Sequence, residues 1–178
     1  MKVSCIIPYL ESFPEKRDIL KTSVNSFTGA DEIIVVSNWR EGYAKPINKG
    51  LAIAKGDFLI VMNDDLIWDG GSLKRLCDET AVTSPVVNGK LQDFWGCAFC
   101  IPKWVYEKLG GMDERYTISY FDDDDFWWTL KKENIPHHCV PTVNVSTKGG
   151  TTLDKFPDRN EFYEANKQKF LEKWGRLP

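Results

Sequence analysis

Short apolar runs alternate with stretches of helical periodicity through the first 65 residues of the chain. Val3 to Ile7 is a β-branched run that predicts a first strand, stopped by Pro8 with a loop at its carboxyl end. Glu15 to Phe27 predicts a helix, with Ile19, Leu20, Val24 and Phe27 on one face and Thr28-Gly29 as its stop. Ile33 to Val36 is continuous rather than alternating, as expected of a strand buried on both faces of a parallel sheet. Pro46 to Lys55 predicts the next helix, with Ile47, Leu51 and Ala54 on one side and Gly56 closing it. Phe58 to Met62 then reads as a third buried strand, ending at Asn63. Strand–helix–strand–helix–strand is the pattern of half a doubly wound α/β fold, whose ligands sit at the carboxyl ends of the strands. Pro8–Glu11, Ser37-Asn38 and Asn63–Asp65 would converge there.

The remainder reads differently. Gly70-Gly71 opens a short helix to about Cys77, and Ala81–Val87 and Phe94–Ile101 are expected strands. Lys103–Leu109 predicts a helix, Gly110-Gly111 a break, Phe126–Glu133 a further helix and His137–Val140 a strand. Arg159–Trp174 closes the chain as a helix, with Phe162, Ala165, Phe170 and Trp174 at roughly helical spacing. No internal repeat, low-complexity tract or linker interrupts this order, so the 178 residues are expected to form one domain. Residues 1–65 would make one half of it and 66–178 the other.

Composition narrows the class without choosing a substrate. The chain is 42% hydrophobic and 28% charged with a formal net charge of -3, which gives no electrostatic footprint for nucleic acid or an anionic membrane. No apolar run approaches the length of a membrane span, and the amino terminus lacks a signal-peptide pattern. Five scattered cysteines, an odd number, fit reduced thiols in a cytoplasmic protein. Cys97 and Cys100 have C-x-x-C spacing and His137-His138-Cys139 lie together, but a structural zinc site needs four well-spaced ligands and there is no second C-x-x-C. Nothing in the sequence fixes an oligomeric state.

Two acidic clusters carry the chemistry. Asn63-Asp64-Asp65 follows a strand, and Asp122-Asp123-Asp124-Asp125 stands ahead of a helix. Carboxylates in two places suit a metal-assisted transfer, one site holding a divalent cation against a leaving diphosphate and the other taking a proton from the attacking group. Aspartates also favour a helix amino terminus, with Lys131-Lys132 near the other end, but one or two would serve that purpose rather than four.

Asn48-Lys49-Gly50, Ala54, Gly56 and Asn63-Asp64-Asp65 together resemble the N-x-G-x-x-x-A-x-G and D-x-D region of glycosyltransferase family 2. Gly110-Gly111-Met112-Asp113-Glu114 is similar to that family's G-G-F-D-E segment, and Asp122–Asp125 stands where the family has E-D-x-D. Ile6-Ile7-Pro8-Tyr9 and Phe170–Gly175 are similar to the family's edges, so the resemblance spans essentially the whole chain in order.

The resemblance implies an α/β GT-A-type, Rossmann-like fold with a central mostly parallel sheet flanked by helices. It also implies transfer of a sugar from a nucleotide-sugar donor to a glycan or other hydroxyl acceptor, with inversion. Mn2+ or Mg2+ would neutralise the leaving diphosphate, held by Asp65 as the last position of the D-x-D and by Thr147 near the place of a family histidine. Asn63 replaces the first aspartate of that motif and Asp64 could share its task. Pro8, Tyr9, Glu11, Ser37, Asn38, Lys45 and Asn48 fall on the donor side. Ser37-Asn38 stand where many members carry an aspartate that reads uracil, and UDP is the first nucleotide to consider.

Asp123 maps onto the general base and Asp122 onto an acceptor-binding carboxylate, while Asp125 is the candidate structural cap. Trp95 and Gly96 are expected beside the sugar, with Trp127 and Trp128 as lesser aromatic candidates. Two alternatives remain at this stage. One is a catalytically silent relative that binds a nucleotide or glycan, favoured by Asn63 and the missing histidine. The other is a nucleotidyltransferase, disfavoured because Pro8-Tyr9-Leu10-Glu11 is no glycine-rich phosphate loop.

Overall fold

The computed structural model describes residues 1–10, 16–38, 41–147 and 156–178. The elements in chain order are β1 (Val3–Leu10), α1 (Lys16–Asn25), β2 (Glu32–Asn38), α2 (Ala44–Ile53), β3 (Phe58–Met62) and β4 (Ile67–Trp68). A 3-10 turn (Leu73–Leu76) leads to β5 (Val82–Val87), β6 (Ala98–Pro102), α3 (Lys103–Leu109), α4 (Asp122–Lys132), β7 (His137–Ser146) and α5 (Arg159–Trp174). The seven strands form one sheet in the order β2-β1-β3-β6-β5-β7-β4. From the pairings, β2, β1, β3, β5 and β7 share one direction, and β6 and β4 oppose it.

The continuous apolar runs divide by the two-residue period of a strand onto two cores. Val3, Cys5 and Ile7 of β1 and Phe58, Ile60 and Met62 of β3 enter one cluster. Ile6 of β1 and Leu59 and Val61 of β3 join α2, α3 and α4 on the other face. Helix α2 lies close on β1 because residue 50 is glycine; a Cβ there would stand 2.4 Å from Ile6 Cγ2. Fully burying each such aliphatic side chain contributes about 1.5–3 kcal/mol.

Several expectations are corrected. Pro8 does not end β1, which runs on to Leu10 against β2, Pro8 lying opposite Val36. The β3 ladder stops at Ile6, so proline enters where β1 is paired on one side only and a missing N–H costs little. Ile33–Val36 is not buried on both faces: β2 is the sheet edge, and Ile33 and Val35 are 41% and 45% exposed. The short helix expected from Gly70 is a 3-10 turn whose Ser72 hydroxyl accepts from Lys74 N.

The strand expected over Phe94–Ile101 begins at Ala98, and that expected over His137–Val140 continues to Ser146, with a register irregularity between Pro85 and Val86 on its partner β5. Helix α4 begins at Asp122, not Phe126, so all four aspartates lie in its first turn, where the helix dipole favours negative charge.

Candidate active site

A cleft of about 520 Å³ opens at the carboxyl ends of β1, β2 and β3 and is lined by both halves of the chain. Of the residues singled out from sequence, Pro8, Asn38, Asn63, Asp64, Asp65, Trp95, Gly96, Asp123 and Thr147 line it. Tyr9, Ser37, Lys45, Asn48 and Asp122 do not, and Glu11 lies outside the described residues. Asn48 faces elsewhere: its amide donates to Met112 O at 2.8 Å and Glu114 Oε1 at 2.9 Å and accepts from Met112 N at 2.8 Å. It thus docks the Gly110–Glu114 segment on α2.

The turn after β3 is fixed by Asn63 N donating to Cys97 O at 2.9 Å. Asp64 turns inward to a buried ion pair with Lys16 Nζ at 2.8 Å, the two side chains being 8% and 5% exposed. Burial raises the Asp64 carboxyl and the Lys16 ammonium partly offsets that. Asp65 instead faces Thr147, whose hydroxyl donates to Asp65 Oδ2 at 3.1 Å. Thr147 is in turn held by Asn88, which donates its amide to Thr147 O at 2.9 Å and accepts from Thr147 N at 3.0 Å. Asn88 and Gly89 both have positive φ, 51° and 73°, the geometry of a tight hairpin turn.

Asp65 Oδ1 and Asn63 Oδ1 are buried and have no hydrogen-bond partner among the described residues. Leaving such atoms unmet is costly, and since both residues line the cleft a bound group there would satisfy them. A carboxylate, an amide oxygen and a hydroxyl suit a hard divalent cation that keeps most of its coordination for water or phosphate oxygens. Among the described residues no three His, Cys, Asp or Glu side chains gather as a metal cage. His137 is engaged with Trp127, whose Nε1 donates to His137 Nε2 at 3.0 Å, and His138 lies 3.8 Å from Asp78.

The second acidic cluster approaches from α4. Asp123 is admitted because residue 96 has no side chain: a Cβ there would lie 2.2 Å from Asp123 Cβ and 2.4 Å from its Oδ2. The expected close approach at Gly96 is therefore made by the carboxylate itself. Tyr43 holds the Gly96 backbone, its hydroxyl donating to Gly96 O at 2.8 Å.

Burial raises the Asp123 carboxyl above the ordinary carboxylate range. Asp122, directly behind it, is pushed up to about 8 by burial and by the Asp123 charge. Cys97, between the two acidic sites, is pushed up to about 12 by burial and by the carboxylates of Asp65 and Asp123. Asp125 is structural, though not as a cap: its carboxylate accepts from Tyr116 Oη at 3.0 Å, Trp174 Nε1 at 2.7 Å and Lys173 Nζ at 2.9 Å.

Trp95 lines the cleft with its Nε1 buried and unpartnered among the described residues, whereas Trp128 packs edge-on against Phe170 and Trp174. Lys16, Tyr43, Asn88 and Lys90, and the loop residues Ile118 and Ser119, also line the cleft and were not picked out from sequence. Only Asn88 carried a local signal, the Asn-Gly pair of a hairpin.

The fold recurs in solved glycosyltransferase structures. A mutant of Drosophila β1,4-galactosyltransferase 7 in complex with manganese, UDP-Gal and xylobiose superposes with a TM-score of 0.68 at 13% identity, over 91% of this chain and 79% of that one. GalNAc-T7 with UDP, GalNAc and Mn2+ gives 0.67 at 14% identity, over 98% and 51%. The mannosyltransferase PcManGT from Pyrobaculum calidifontis with GDP-Man and Mn2+ gives 0.61 at 15% identity, over 99% and 66%. These likenesses define a GT-A fold. No curated protein matches the sequence. The glycosyl transferase family 2 model matches residues 12–139, and the chain belongs to that family: it is a glycosyltransferase.

Proposed function

We propose that the cleft transfers a sugar from a nucleoside diphosphate donor to an acceptor hydroxyl, with inversion. The observation that carries this reading is the meeting of Asp65, Thr147 and Asp123 in one cleft from three distant parts of the chain. The manganese and nucleotide sugars in the names of the three similar structures agree with it.

Asp65, with Thr147 and Asn63 beside it, would hold Mn2+ or Mg2+, which when bound neutralises the charge that grows on the leaving diphosphate. Lys16 adds a fixed positive charge to the same wall, balanced by Asp64. Pro8 and Asn38, at the ends of β1 and β2, border the nucleotide side, and Trp95, whose buried N–H has no partner among the described residues, lines the cleft as the aromatic neighbour of the sugar. Asp123 accepts the proton of the acceptor hydroxyl as it attacks from the opposite wall. Burial raises its carboxyl, which makes it a stronger base than an exposed aspartate. Asp122, largely protonated at neutral pH, keeps a second negative charge from opposing that step.

The test is thermal-shift titration with UDP, GDP, dTDP and CDP, each with and without manganese, followed by sugar donors of the base that binds. A metal-dependent shift with one nucleotide is expected, because ligand that binds the native state raises the melting temperature. No shift with any of them would overturn the reading.

A further inference from the structure

We infer that Asn166 of α5 is a positioning residue for the acceptor wall: it clamps the strained loop that enters α4 and thereby sets where Asp123 stands. This rests on the transferase reading above.

Three of the four residues from 118 to 121 adopt left-handed backbone angles without being glycine: Ile118 at φ 64°, Tyr120 at 78° and Phe121 at 68°. Such conformations persist only where surrounding contacts over-determine them. The segment itself belongs to no helix or strand; it runs between Gly111 and α4 and supplies Ile118 and Ser119 to the cleft. Phe121 is the residue that caps α4, and its carbonyl accepts from Asp125 N at 2.9 Å, so the loop's last left-handed turn fixes the direction in which Asp122 and Asp123 leave it.

Rings of α5 pack on the loop, Tyr163 against Tyr120 and Phe121 and Phe170 against Phe121. The side-chain hydrogen bonds to the loop's backbone, among the described residues, come from one position of that helix. Asn166 is fully buried. Its amide donates to Thr117 O at 2.8 Å, Ser119 O at 2.8 Å and Tyr120 O at 3.3 Å, and its carbonyl accepts from Thr117 N at 3.1 Å. Lys169 Nζ closes the arrangement, donating to Asn166 Oδ1 at 3.1 Å and to Arg115 O at 2.8 Å. One helical position thus satisfies the backbone of the segment that curls through the left-handed region. Gly42 backs the same loop; a Cβ there would stand 3.0 Å from Ile118 N. Of the three residues whose carbonyls Asn166 holds, Ser119 lines the cleft, next to Ile118.

The test uses Asn166→Ala and Asn166→Asp, the second keeping the acceptor but not the amide donors, with Phe27→Leu in the opposite core as a control for general destabilisation. Two readouts are taken on the full chain. Amide exchange over residues 117–123 should rise by about tenfold or more in both Asn166 variants, with the sheet and α5 still protected. Turnover with acceptor should fall by roughly 10- to 100-fold, while metal-dependent nucleotide affinity stays within about twofold of the parent. Phe27→Leu should lower the melting temperature without either effect.

Unchanged exchange in this segment would overturn the clamp, and raised exchange with parental turnover would overturn its role in positioning Asp123. Loss of nucleotide affinity in step with turnover would also overturn it, as a merely structural effect. A parent protein that binds no nucleotide and transfers no sugar would refute the transferase reading and with it the positioning role, while the exchange arm would still decide whether Asn166 holds the loop.

Discussion

The Thr147 hydroxyl donates to Asp65 Oδ2 at 3.1 Å across 82 positions of sequence, joining the turn after β3 to the end of β7. Asn88 holds Thr147 from behind, so Asp65 meets a fixed hydroxyl while its other oxygen is left for a ligand. Asp65→Ala is expected to abolish metal-dependent nucleotide binding. Thr147→Val should weaken it by about 10- to 150-fold, the worth of one hydrogen bond to a charged group. Calorimetric titration of nucleotide with and without manganese checks both.

On the proposed reading, the role of Asp123 can be separated from that of Asp65. Asp123→Asn is expected to keep nucleotide affinity and lose about 100-fold or more in turnover, the usual contribution of a general base. Because burial raises its carboxyl, acceptor turnover should rise with pH along an acid limb lying above the range of an exposed aspartate. With Asp122 adjacent, that limb belongs to the pair rather than to one residue. A pH profile of kcat/KM that stayed flat down to the ordinary aspartate range would remove Asp123 from this role.

Gly96→Ala places a Cβ 2.2 Å from Asp123 Cβ. The carboxylate must then move, and turnover should fall by roughly 10- to 100-fold, as for other small misplacements of a reacting group. Steady-state kinetics with acceptor varied checks this.

Lys16 and Asp64 form an ion pair that is nearly closed to solvent. Lys16→Met leaves a buried carboxylate alone and should cost about 3–5 kcal/mol, much of it recovered in the Lys16→Met/Asp64→Asn double variant. Urea denaturation of the parent, of Lys16→Met, of Asp64→Asn and of the double variant measures the coupling.

Asp122 gives stability a pH dependence of known sign. Its folded-state pKa, about 8, lies above the unfolded value, so the native state binds the extra proton and stability falls as pH rises from about 4 towards 8. Asp122→Asn should flatten that slope, gaining roughly 1–3 kcal/mol relative to the parent at about pH 8 and little at about pH 4. Denaturation midpoints at the two pH values decide it.

Much of this fold was legible because strand and helix periods and glycine stops are local properties of the chain. The β1–α1–β2–α2–β3 half and the closing helix were read in order, and Asp65, Thr147, Trp95, Gly96 and Asp123 do share one cleft. Pro8 misled because a proline reads as a strand end unless the pairing on each side is known. The aspartates of α4 read as standing ahead of the helix because the apolar periodicity begins only at Phe126; the dipole that favours them at a helix amino terminus was visible in sequence, but not that all four enter its first turn.

By itself the sequence determined the alternation of elements, the two acidic clusters and the family whose motifs they carry. Only the tertiary structure decided that Lys16 neutralises Asp64, that Asn48 serves a loop, that Gly96 makes room for Asp123, and that Asn166 reaches back to the entry of α4. Each of these joins residues at least 27 positions apart, and a side chain's partner at that distance is set by how the elements pack, which no local pattern of residues encodes.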